Sequence, residues 1–84
     1  LNMDLDNILK QSEESIKNGK NQEAIELLEG ALLNIGNNQK RWEVLLRIGH
    51  IYKGLGKLNE AVTNWMEAYE AFPERIENIY EGFF

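Results

Sequence analysis

Apolar residues recur along the chain at three- and four-residue intervals, the spacing of one face of an α-helix. Leu5, Ile8, Leu9, Ser12 and Ile16 follow that spacing with a thin apolar stripe. Ala24, Leu27, Leu28, Ala31, Leu32 and Ile35 form a stronger second stripe, and Trp42, Leu45, Ile48, Gly49 and Tyr52 a third. Ala61, Val62, Trp65, Ala68, Tyr69 and Phe72 make a fourth, and Ile76, Ile79, Tyr80 and Phe83 begin a fifth. Strict alternation is absent and β-branched residues are few, so strands are not expected. The pattern predicts five helices, near 4–17, 21–35, 39–54, 59–71 and 74–84.

The breaks between stripes have turn chemistry. Asn18-Gly19 and Gly54-Leu55-Gly56 place glycine where a helix ends in a left-handed residue. Asn37-Asn38 separates the second and third stripes and supplies a candidate N-cap, and Pro73 ends the fourth helix. Helices of this length joined by such short turns pack antiparallel to their neighbours. The hairpin is used twice. A shift of 37 residues lays Gly19-Lys20 on Gly56-Lys57 and Glu23-Ala24-Ile25 on Glu60-Ala61-Val62. The same shift lays Leu28 on Trp65, Ala31 on Ala68, Ile35 on Phe72 and Gly36 on Pro73. The alanines allow close helix approach, and the large residues fill the spaces between them.

This pattern resembles the tetratricopeptide repeat, a helix–turn–helix unit of 34 residues. Leu45, Ile48-Gly49, Tyr52, Gly56, Ala61, Trp65, Ala68 and Pro73 fall on its signature spacing within 42–75. Ile8, Ser12, Gly19, Ala24, Leu28 and Ala31 do so within 5–38. The first copy departs from the signature at Gln11 and Ser15, and at Gly36, where the family has proline. A terminal repeat has no outer neighbour, so polar Gln11, Glu14 and Ser15 suit a cap. The resemblance implies an all-α superhelix of stacked antiparallel helix hairpins. It implies one domain over 1–84: repeat one at 5–38, a three-residue insertion at 39–41, repeat two at 42–75 and a trailing helix at 76–84. Three residues are nearly one helical turn, so the insertion is expected to lengthen the third helix at its start. The apolar trailing helix implies a longer array, or packing on another chain.

Composition narrows the function classes. The chain has 84 residues, 43% of them apolar, and no cysteine, so neither disulfides nor thiolate metal sites brace it. Net charge is −5, with no basic stripe, which argues against a nucleic-acid partner. No apolar run reaches the length of a membrane span, and the first residues do not read as a signal peptide. A cytoplasmic location is the expectation.

No catalytic constellation is visible. His50 is the only histidine, so a multi-histidine metal site is excluded. Glu13 and Glu14 are adjacent on a helix and do not converge. Gly54-Leu55-Gly56 lacks the strand and the further glycine or lysine of a phosphate loop, and Ser12 and Ser15 have no nearby histidine. Neither an enzymatic activity nor a cofactor is expected. In the resembled family, partners lie on the concave face made by the first helix of each repeat. Carried over, that face holds Asp6, Leu9, Glu13, Ile16 and Lys17 from one copy and Glu43, Leu46, Arg47, His50 and Lys53 from the other. Leu9, Ile16 and Leu46 would be its exposed apolar contacts, and Gly54, lacking a side chain, would leave the face open. A family subtype that clamps acidic chaperone tails needs a Lys/Asn/Arg cluster. Only Arg47 falls on such a position, while Leu9, Glu13 and Glu43 do not fit it. The expected function is therefore a scaffold binding a peptide or helix of a protein partner. The alternatives are homo-oligomerisation through Tyr80, Phe83 and Phe84, or a regulatory appendage of a larger protein.

Overall fold

A computed structural model of the chain describes residues 4–36 and 40–71. Among them are four α-helices and no strand: α1 (Leu5–Lys17), α2 (Asn21–Ile35), α3 (Arg41–Gly54) and α4 (Leu58–Ala71). The fifth expected helix, at 74–84, lies outside the described residues, as do Asn37, Asn38 and Pro73.

Both hairpins turn by the same hydrogen bonds. After α1, the Lys20 N–H donates to the Ser15 carbonyl at 2.8 Å and the Gly19 N–H to Ile16 at 3.0 Å. After α3, Lys57 donates to Tyr52 at 2.9 Å and Gly56 to Lys53 at 3.0 Å. This pair of bonds satisfies carbonyls of the last helical turn and requires a left-handed residue. Gly19 and Gly56 supply it, with φ of 76° and 78°. A side chain at either position would be strained.

The junction between the hairpins is built differently. Lys40, not an asparagine, occupies the N-cap of α3, and its side chain makes no capping bond. The helix begins at Arg41, so the insertion does not lengthen α3 by a turn. Arg41 turns its guanidinium back instead, donating to the carbonyls of Leu32 (3.2 Å) and Gly36 (3.4 Å). A charged donor thereby satisfies carbonyls at the open end of α2. At the start of the chain, Asp4 caps α1 by accepting from the Asn7 N–H at 3.1 Å.

The core forms on both sides of α3. Val44, Ile48 and Ile51 join Leu9, Ala24, Ile25 and Leu28 in one buried cluster. Leu45 and Leu46 join Ala61, Trp65 and Ala68 in another. Leu32 and Tyr52 pack against both. A helix with apolar residues around most of its girth is one that has neighbours on both sides. At the second contact, Gly49 lies directly beneath Trp65, and a Cβ there would overlap the indole ring. Ser12 is fully buried and donates to the Leu9 carbonyl at 2.7 Å, so its hydroxyl is satisfied.

Candidate groove between the first helices of the two hairpins

The helices that open each hairpin, α1 and α3, are tied together by charge. Asp6 and Glu13 stand two turns apart on α1. Lys40 reaches Asp6 at 3.8 Å, and Arg47 donates to Glu13 at 2.5 Å. Glu43 lies between the two cations, 3.7 Å from each. The result is a ladder, Asp6–Lys40–Glu43–Arg47–Glu13, running across both helices. The Arg47 guanidinium, by hydrogen bond and by charge, holds the Glu13 carboxyl below the usual carboxylate range. Glu13 is exposed, so its pair with Arg47 adds little stability.

Beside the ladder is a groove of about 520 Å³. Ile16 at the end of α1 and Asn21 at the start of α2 form one wall. The other runs along α3 through Trp42, Leu46, Arg47, His50 and Gly54, with Glu43 and Ile51 alongside. Ile16 is 40% exposed. Gly54 has nothing within 4 Å of where a Cβ would stand, so the groove is open at that end. The His50 ring meets Trp65 edge-on, with centroids 5.8 Å apart. Burial pushes the imidazole below the ordinary histidine value, and the Lys53 ammonium adds to this, so His50 is uncharged at neutral pH.

The sequence-derived face divides into three parts. Ile16, Glu43, Leu46, Arg47 and His50 line the groove. Asp6 and Glu13 belong to the ladder and not to the lining. Lys17 and Lys53, both exposed, stand outside the lining in the last turns of their helices. The expectation that Leu9 and Leu46 are exposed is corrected, since they are only 6% and 4% accessible. Leu9 is enclosed where α1 meets α2 and α3, and Leu46 where α3 meets α4, so Leu46 forms floor rather than rim. Asn21, Trp42, Ile51 and Gly54 line the groove without belonging to the expected face. The open backbone at Gly54 was readable from its missing side chain. Asn21 was not, because the turn at Gly19 carries it there from the next helix.

Among the described residues no helix is long and apolar enough to cross a membrane, and no group of three acidic, histidine or cysteine side chains is placed to hold a metal. No curated protein and no solved structure matches the chain. Residues 43–75 match the family model described as tetratricopeptide repeat. That stretch takes in nearly all of α3, the Gly56 turn, α4 and the Gly49–Trp65 contact. The hairpin of α3 and α4 is thus similar in sequence to the tetratricopeptide repeat and has the helix–turn–helix form of one.

Proposed function

We propose that the chain is a non-enzymatic protein-interaction module that binds a peptide or helix of a partner in the groove between the end of α1 and α3. The two copies of its repeat are 5–38 and 42–75. The observation that carries this reading is the open apolar channel bounded by Ile16, Leu46 and Ile51 and left clear at Gly54. Concave faces of helical stacks suit extended or helical ligands. The test is retention of a phage-displayed library of random dodecapeptides by the full chain, beside its Gly54→Leu variant. A Cβ at residue 54 meets nothing within 4 Å, and Gly54 lines the groove, so a leucine there is expected to narrow it. Wild type should retain peptides, and the variant should retain about tenfold fewer while melting at the same temperature. Equal retention by both would contradict the assignment.

Self-association is a second reading, supported by a second apolar stripe on α4. Leu58, Val62 and Met66 are 59%, 43% and 55% exposed. Sedimentation of a monomer across a wide concentration range would rule it out.

A further inference from the structure

The ionised side chains lining the groove cancel one another. Among the described lining residues these are Glu43 and Arg47, which pair at 3.7 Å. Arg47 is held a second time by Glu13, and Glu43 a second time by Lys40. His50 is uncharged at neutral pH. Lys17 and Lys53, which could attract an acidic ligand, lie outside the lining.

Resting on the groove as the binding site, we infer that its partner is an apolar segment of no net charge, anchored by a large aliphatic or aromatic side chain between Ile16 and Gly54. The volume suits such an anchor, since pockets that enclose a small ligand run from about 300 to 1,000 Å³. Charged partners are selected against on both sides. A carboxylate entering the groove must compete with two carboxylates already on Arg47, or lose its water without a replacement. An ammonium must compete with Lys40 and Arg47 for Glu43. An apolar side chain meets neither cost and covers Ile16 above the floor that Leu46 and Ile51 form.

Two consequences can be read in one experiment. Random dodecapeptides retained by the full chain are sequenced, and the best binder is titrated at about 0.05 M and about 0.5 M NaCl, a range over which exposed charge pairs are heavily screened. The expected peptides are rich in Leu, Phe, Tyr or Trp and near neutral, and affinity changes less than about twofold with salt. The same selection is run on Arg47→Met, which leaves Glu13 and Glu43 without their shared cation. Its retained peptides should shift to those carrying Lys or Arg.

Three results overturn the inference. Wild-type peptides enriched in Asp and Glu, or in Lys and Arg, would show that charge recognises the partner. So would an affinity falling about tenfold or more with salt. Identical peptide composition for wild type and Arg47→Met would show that the ladder does not set charge preference. All three leave the groove as a binding site. Retention of no peptides by wild type removes the binding site itself.

Discussion

In the first hairpin the side chain filling the space between helices is Leu28, fully buried beside Ala24 and Ile25. In the second it is Trp65, 8% exposed, at the position 37 residues later. The indole needs more room, and Gly49 provides it on the facing helix by having no side chain. The helices facing these plugs differ as well. From α1 only Leu9 and Ser12 are buried, whereas α3 buries Val44, Leu45, Leu46, Ile48, Gly49 and Ile51. One hairpin plan thus serves two situations. At the end of the described stack, α1 has packing partners on one side and stays polar elsewhere. With neighbours on both sides, α3 is enclosed, and it also supplies most of the groove wall. The residues that stabilise the fold and those that shape the groove are therefore largely on one helix.

The largest effects are expected where the plugs are removed. Trp65→Ala should destabilise by about 3–5 kcal/mol through the cavity it leaves, and Leu28→Ala by about 2–5 kcal/mol. Both are measured by denaturant midpoint. A Trp65→Ala midpoint equal to wild type would show that the indole does not join α3 to α4. Next comes Gly49→Leu, expected to cost about 1–3 kcal/mol or more by overpacking. Combined with Trp65→Ala, the new leucine enters the vacated space, so the double variant should be more stable than the two single losses predict. Strict additivity would mean that the two residues do not share one contact.

A smaller effect is expected at the first hairpin. Ser12→Ala removes one satisfied hydroxyl and should cost about 0.5–1.5 kcal/mol. The smallest concerns the ladder. Glu13 has its pKa lowered in the folded state, so the contribution of its bond to Arg47 is complete above the ordinary carboxylate value and is lost as pH falls through the lowered one. Glu13→Gln should therefore melt slightly below wild type at neutral pH and together with it in acid. The difference should also shrink in about 1 M salt, where screening reaches about 3 Å. A difference that persists in acid would assign the effect to something other than this carboxylate.

Much of this fold was legible because its signals are local. Gly19 and Gly56 mark left-handed turns, and the recurrence of Ala24, Leu28 and Ala31 as Ala61, Trp65 and Ala68 fixes the faces of α2 and α4. The start of α3 was less legible. Three inserted residues suggest an extra turn, but α3 starts at Arg41, whose guanidinium bonds back to Leu32 and Gly36. The groove was legible only in part. Periodicity places Ile16, Arg47 and His50 on one face of their helices but does not say how closely α1 and α3 lie side by side. That spacing buries Leu9 and pairs Glu13 with Arg47 and Asp6 with Lys40, residues 34 positions apart in each case. Such pairs leave no mark in a single helical stripe.

With buried residues on both sides and most of the groove lining, α3 is at once the structural centre and the wall of the proposed binding groove. Amide hydrogen exchange of the full chain, with and without a groove-selected peptide, tests both roles together. Amides of α3 should exchange slowest in the free protein. Peptide should add protection at the end of α1 around Ile16 and along α3 near His50 and Gly54, leaving α4 unchanged. Slower exchange in α1 than in α3, or peptide-induced protection centred on Leu58, Val62 and Met66 of α4, would contradict this double role.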